Sequence, residues 1–308
     1  MENARNLVKE LLNVPEGYQV LFLQGGASLG FLKTAYNFLP KGETAAYINT
    51  GTWASKAIKE AEQLGKANVI ASSEDKNFSY IPKGYGIPND AKYLHFTSNN
   101  TIAGTQFKNF PISRIPLICD MSSDIFSKEI NVGDFDMIYA GAQKNMGPAG
   151  TTLYIVKESA LGKTGNNIPT MLDLQTHIKK DSMFNTPPVF AIYVSMLTLE
   201  WLKGLGGVSV IEKMNQEKAD LLYNEIDRNG LFKGVVEKED RSNMNATFVL
   251  TNDSLKDQFD EMWQAANISG IKGHRSVGGY RASMYNALPK ESVQALVDVM
   301  KSFEEKYG

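Results

Sequence analysis

Apolar positions follow two patterns along the chain: short unbroken runs, and longer stretches in which apolar residues return at helical spacing. Tyr18–Leu23, Glu43–Ile48, Val69–Ala71, Tyr93–Thr97, Leu117–Cys119 (ending at Asp120), Met137–Ala140 and Thr152–Val156 read as strands. Residues 2–13, Leu29–Asn37 and Trp53–Leu64 read as helices between them. Strands alternating with helices predict βαβ units and an α/β fold with a mostly parallel sheet. Further on, the apolar stretch Val189–Leu199 is interrupted by Ser195 and Thr198 and closed by Glu200. It is too short to span a bilayer and predicts a buried helix that continues to Leu202. Gly204–Gly207 punctuates the chain. A polar helix, Val208–Asn229, then leads to a smaller unit with strands at Asn245–Thr251 and Arg281–Met284 and helices at Asp253–Ala266 and Lys290–Lys306. The expected division is a large domain, 1–207, followed by a linking helix and small α/β domain, 208–308.

Composition narrows the function classes. A chain of 308 residues suits about two domains, and 43% hydrophobic with 21% charged residues is ordinary for a globular protein. A formal charge of −2 gives no electrostatic reason to expect a nucleic-acid or membrane partner. The single cysteine, Cys119, excludes an internal disulfide and fits a reducing compartment. The amino terminus reads as a polar helix followed by a strand, not as a signal peptide, so a cytoplasmic location is expected. His95, His177 and His274 lie far apart and form no metal-binding motif, so no metal is expected. His95, His177 and Cys119 read as structural residues.

Three features carry chemistry. Gln24-Gly25-Gly26-Ala27-Ser28 lies between a strand and a helix, where glycines let a backbone approach a phosphate and free N–H groups face it. A tight βα turn would look the same. Asp120 directly follows a buried strand, at the end where open α/β sheets bind ligands. There a carboxylate can hold a pyridine nitrogen protonated; a helix N-cap before Ser122-Ser123 is the other reading. Lys144 ends an apolar segment, Ile138–Gln143, among small residues that leave room for a planar ligand. A partly desolvated lysine becomes nucleophilic, as Schiff-base formation requires; a surface loop lysine is the alternative.

The phosphate-type turn, the strand-end aspartate and the strand-end lysine, in that order, resemble the fold-type I pyridoxal-phosphate enzymes. AGAQKNMGPAG (140–150), MFNTPP (183–188), GHRSVGGYRAS (273–283), NTGTWASKA (49–57) and FLQGGAS (22–28) resemble the phosphoserine aminotransferases of class V across nearly the whole chain. The resemblance implies an aspartate-aminotransferase-like fold, a homodimer with shared sites and pyridoxal 5'-phosphate as cofactor. The implied substrates are L-glutamate and a phosphorylated 2-oxo acid, 3-phosphohydroxypyruvate. Some relatives also act in vitamin B6 synthesis.

Residue by residue, the resemblance implies that Lys144 carries the cofactor and shuttles a proton, while Asp120 pairs with its ring nitrogen. Trp53 would stack on the ring, and Thr101 would bond near its phenolic oxygen or phosphate. Ala27, Ser28 and Gln143 would hold the phosphate, and Asn185 and Thr186 would reach the partner subunit's cofactor. Arg281 would clamp the substrate α-carboxylate, and His274 with Arg275 would hold the substrate's phosphate or distal carboxylate. Two departures stand out. Ser28 replaces an arginine of many relatives, and a leader with a His-Arg pair, present in the family before the helix near Glu2, has no counterpart in this sequence. The expectation is normal binding of α-carboxylates with weaker binding of phosphate. Two alternatives stay open here: a cofactor-binding dimer with impaired turnover, or another class V activity. Desulfuration is disfavoured, because the only cysteine, Cys119, sits in a strand.

Overall fold

The computed structural model describes residues 1–275 and 278–308. The first part of the chain forms α1 (Glu2–Leu11), β1 (Tyr18–Leu23), α2 (Gly26–Phe38), β2 (Thr44–Asn49), α3 (Thr52–Ala61), β3 (Lys66–Ser72), β4 (Leu94–Thr97), β5 (Leu117–Asp120), β6 (Met137–Gly141) and β7 (Thr152–Lys157). There follow α4 (Leu174–Ile178), α5 (Val189–Gly204), α6 (Val208–Arg228), β8 (Phe232–Gly234), β9 (Asn245–Leu250), α7 (Lys256–Ala265), β10 (Tyr280–Ser283) and α8 (Lys290–Tyr307).

The large sheet has the order β1-β7-β6-β5-β4-β2-β3. Strands β3, β2, β4, β5 and β6 pair in parallel, and β7 runs antiparallel to both β6 and β1. Because β7 reverses direction, β1 runs the same way as β6. Leu23, Asn49, Thr97, Asp120 and Gly141 therefore all end at one edge of the sheet, where ligands bind in open α/β folds.

The apolar runs are unbroken because both faces of the sheet are covered. Val20, Phe22, Phe96, Cys119 and Ile138 face a core shared with α1 and α5. Leu21, Leu23, Tyr47, Ile118 and Tyr139 face the opposite core, under α2 and α3. A third core joins Leu222 of α6, Phe259 and Trp263 of α7 and Phe303 of α8 to the antiparallel sheet β10-β9-β8.

Three local features differ from expectation. Helix α2 starts at Gly26 rather than Leu29, because Gly25 adopts the left-handed conformation (φ 111°) and turns the chain directly into the helix. The short elements α4 and β8 were not anticipated, although Asp173 caps α4 by accepting from Gln175 N–H at 3.0 Å. The largest correction concerns α5, which is not a buried helix. Ala191, Ile192, Ser195, Leu199 and Leu202 are buried, but Val189 (67% exposed), Phe190 (74%), Tyr193 (54%), Leu197 and Trp201 form an uncovered apolar face. A helix apolar all round buries both of its sides against something, and this chain supplies a cover for only one. No single helix among the described residues is long and apolar enough to cross a membrane.

The packing of α2 on β6 is tight enough to test. A Cβ placed on Gly30 would stand 2.6 Å from Cδ2 of Tyr139. That ring is fully buried and is held by a 2.8 Å bond between its hydroxyl and His95 Nε2. Overpacking of this kind costs about 1–3 kcal/mol. Gly30→Ala should therefore lower the thermal unfolding midpoint by several degrees, and an unchanged midpoint would mean that the Tyr139 ring is free to yield.

Candidate active site

The loops leaving the carboxyl edge of the sheet carry most of the expected site residues. Asp120 ends β5 and is only 3% exposed. Its Oδ1 accepts from Ser122 N–H at 2.9 Å. The N-cap geometry read from the sequence is thus present as a local turn, but no helix follows it. Ser122 Oγ accepts from Gly141 N–H at 3.1 Å and ties this loop to the end of β6. Burial raises the Asp120 pKa; the Ser122 hydrogen bonds and the charge of Lys144 oppose the rise.

Lys144 follows β6 in a turn closed by Ala142 O, which accepts from Met146 N–H (3.1 Å) and Gly147 N–H (2.8 Å). Its Nζ makes no hydrogen bond or ion pair among the described residues and lies 5.8 Å from the Trp53 ring centroid. Burial lowers its pKa, Asp120 pulls it back up, and Arg281 pushes it further down. A lysine so placed carries a larger neutral, nucleophilic fraction at a given pH than an exposed one.

Thr101 joins the remaining members. Its Oγ1 accepts from Trp53 Nε1 at 3.2 Å, and its carbonyl accepts from Arg281 Nη1 at 2.9 Å. Thr101 is buried. Trp53 opens α3 beside a cavity of about 400 Å3 lined by Gly51, Thr52, Asn100, Ile102 and Ala103. The structure thus brings Asp120, Lys144, Trp53, Thr101 and Arg281 together.

The other expected residues sit around this group. Ala27 and Ser28 lie in the first turn of α2, whose N-terminus has no side-chain cap. Gln143 is exposed and packs over Gly141, where a Cβ would come within 2.6 Å of its Oε1. Asn185 Nδ2 donates to Gln24 Oε1 at 2.9 Å, and Gln24 Nε2 donates to Thr186 O at 3.1 Å. Both residues therefore flank their own chain's glycine turn. His274 and Arg275 are exposed on the loop leading to β10, which is closed by Gly278 N–H donating to His274 O at 2.9 Å. Ser276 and Val277 of the same motif lie outside the described residues.

Sequence reasoning missed the amides and hydroxyls that hold these loops. Asn99 Nδ2 donates to Ser123 Oγ (2.8 Å) and to Asn245 Oδ1 (2.9 Å), joining the β4 and β5 loops to β9. A Ser-Asn-Asn run at the carboxyl end of a buried strand was the available signal.

The residues present fit pyridoxal 5'-phosphate. Asp120 is a buried carboxylate that accepts, among the described residues, only at Oδ1, and Lys144 is a desolvated amine with no hydrogen-bond or ion-pair partner among them. Arg281 Nε is buried without an acceptor among the described residues. Leaving such groups unpaired is costly; the cofactor's pyridinium nitrogen and aldehyde would satisfy the first two, and a substrate carboxylate the third. The uncapped N-terminus of α2 offers N–H groups and a positive dipole end to its phosphate. No group of three or more His, Cys, Asp or Glu residues that could hold a metal ion occurs among the described residues.

Comparison with known proteins identifies the family. The family described as aminotransferase class-V matches residues 1–296. A phosphoserine aminotransferase of Flavobacterium psychrophilum is 66% identical over 307 residues, covering 99% of this chain and 86% of the relative. The solved phosphoserine aminotransferase of Bacillus circulans subsp. alkalophilus superposes with a TM-score of 0.96 at 46% identity, covering 100% of this chain and 86% of that one. The pyridoxal-phosphate-bound enzyme of Trichomonas vaginalis gives a TM-score of 0.91 at 34% identity, covering 97% and 86%.

The electrostatics predict a pH signature. When the cofactor-free chain is acetylated briefly at a series of pH values, Lys144 should gain reactivity at lower pH than the exposed lysines, as read by peptide mass spectrometry. Asp120→Asn should move its midpoint further down and Arg281→Gln should move it up. A Lys144 profile indistinguishable from those of the surface lysines would contradict the desolvated site.

Proposed function

The chain belongs to the class V aminotransferases, and we infer that it transfers an amino group between L-glutamate and 3-phosphohydroxypyruvate, giving O-phospho-L-serine and 2-oxoglutarate. The likeness to phosphoserine aminotransferases over nearly the full chain supports the substrates. The observation that carries the chemistry is the half-buried Lys144 amine, without a hydrogen-bond partner among the described residues and within electrostatic reach of both the Asp120 carboxylate and the Arg281 guanidinium.

Pyridoxal 5'-phosphate, when bound, supplies a sink for the electron pair left on the substrate Cα. The α2 N-terminus with Ala27 and Ser28, together with Gln143, would hold its phosphate. Trp53 would cover one face of its ring, and Thr101 would set its edge. Asp120 would keep a proton on the ring nitrogen; its burial makes that counter-charge strong. Lys144 would be the point of covalent attachment. Its Nζ would take the proton from the substrate Cα, a task suited to an amine whose pKa burial lowers. Arg281 would grip the α-carboxylate through two parallel hydrogen bonds, a geometry lysine does not offer. His274 and Arg275 would meet the substrate phosphate or the distal carboxylate of glutamate.

The reading includes a division at residue 207, with the large domain holding the cofactor and 208–308 carrying Arg281. It also includes a cytoplasmic homodimer with shared sites. The uncovered face of α5 supports the dimer: Val189, Phe190, Tyr193 and Trp201 are exposed, as are Met183 and Phe184 earlier in the chain, which immediately precede Asn185 and Thr186. An apolar patch of this kind marks an interaction surface, and a second copy on it would set Asn185 and Thr186 at the partner's cofactor.

Both parts of the reading are tested by one absorbance experiment. The cofactor-loaded chain should lose its yellow band on addition of glutamate or O-phosphoserine, and regain it with 2-oxoglutarate. Lys144→Ala, and the double variant Asn185→Ala with Thr186→Ala, should each be strongly impaired in this cycle. Equimolar co-refolded mixtures should recover about a quarter of wild-type turnover, because about half the dimers are hybrids and one of the two sites in each is intact. A band indifferent to both amino acids would sink the function, whereas no recovery in verified hybrids would sink only the sharing.

A further inference from the structure

We propose that Asn145, clasped by Asn286, which Asn215 holds in turn, is a positioning residue that sets Lys144 against Asp120 and Arg281; this rests on the reading of Lys144 as the reactive amine. Asn145 directly follows Lys144 but is 6% exposed. Its Nδ2 donates to Ile125 O at 3.1 Å, and its Oδ1 accepts from Asn286 N–H at 3.0 Å. Asn286 Nδ2 donates to Phe126 O at 2.9 Å, and Asn286 Oδ1 accepts from Asn215 Nδ2 at 2.8 Å. Asn215 Nδ2 also donates to Ser127 O at 3.1 Å.

Three consecutive carbonyls of the loop after Asp120 are thus each taken by a different asparagine. The lysine loop, the turn after β10 and α6 supply one each. The loop needs such support, because Phe126 sits at φ 60°, a conformation a phenylalanine does not hold unaided. The turn after β10 is pinned from its other side: Lys218 Nζ donates to Met284 O (3.2 Å), Tyr285 O (2.9 Å) and Leu288 O (3.1 Å). The three segments that carry Asp120, Lys144 and Arg281 therefore meet at one buried amide cluster. An amide suits the middle position because it presents a donor and an acceptor in one plane. A carboxylate at 145 would set an oxygen against Ile125 O, and an alanine would leave both Ile125 O and Asn286 N–H without a partner.

If the clasp positions Lys144, loosening it should let water reach the amine and change its titration, an effect that loss of stability alone would not produce. The variants are Asn145→Ala, Asn286→Ala and, as a control, Asn229→Ala, which removes a buried amide bonded to Glu225 and Met300 O in the third core. In the cofactor-free chain, Asn145→Ala should raise the Lys144 acetylation midpoint by about half a unit or more. In the loaded enzyme it should lower kcat about tenfold with less than about a threefold change in KM for glutamate. Asn286→Ala should move both in the same direction by less, and Asn229→Ala should lower the thermal midpoint and leave the Lys144 profile in place. A folded Asn145→Ala with a wild-type Lys144 profile overturns the proposal. If that variant does not fold, an unmoved profile in Asn286→Ala overturns it. A wild-type chain inert toward glutamate would defeat the functional reading instead, while the acetylation profiles would still decide the clasp.

Discussion

A buried carboxylate at the end of one strand and a half-buried amine in the turn after its neighbour are each short of partners among the described residues, and the structure around them holds both in place. Asp120 and Lys144 lose hydration on folding, and their mutual attraction offsets only part of that cost: burial still raises the aspartate pKa and lowers that of the lysine. Such groups drift toward water or toward each other unless their backbones are held. The holding comes from the sheet edge, where Asp120 pairs in register with Tyr139 of β6. It also comes from Ser122, whose hydroxyl accepts from Gly141 N–H across the two strand ends.

Arg281 arrives from the other sheet, and its position makes the site a product of two cores. Its guanidinium donates to the carbonyl of Thr101, whose hydroxyl already accepts from Trp53. One threonine therefore sets the cation that would bind a carboxylate and the ring that would cover a cofactor. Thr247 Oγ1, which donates to Ala103 O at 2.8 Å, adds a second link between β9 and the same loop. Movement of the smaller sheet would be felt at once at Trp53 and Thr101.

Much of this was legible in the chain. The strands could be read because a sheet covered on both faces needs unbroken apolar runs, and β1, β5 and β6 have them. Asp120 and Lys144 could be read because a charge directly after such a run falls at the ligand edge of an α/β sheet. Their roles, and those of Trp53, Arg281 and the rest, came from resemblance rather than from pattern. Helix α5 could not be read correctly, because apolar residues all round a helix do not say whether the second side meets the same chain or another one. The early start of α2 was hidden in the conformation of Gly25. The asparagine contacts were hidden for a different reason: Asn145, Asn215 and Asn286 meet only after folding, and asparagine in a sequence reads first as a turn residue. Polar residues that act by long-range hydrogen bonds leave no periodic trace.

Borohydride reduction of the cofactor-loaded chain, followed by peptide mapping, addresses the Lys144 assignment most directly. Reduction would fix the cofactor to whichever amine carries it. A pyridoxyl group on Lys144 alone is the expected result, because that amine is desolvated, has no competing hydrogen-bond partner among the described residues and lies within electrostatic reach of Asp120. A pyridoxyl group on any other lysine, or spread over several surface lysines, would contradict the proposal that Lys144 is the reactive amine.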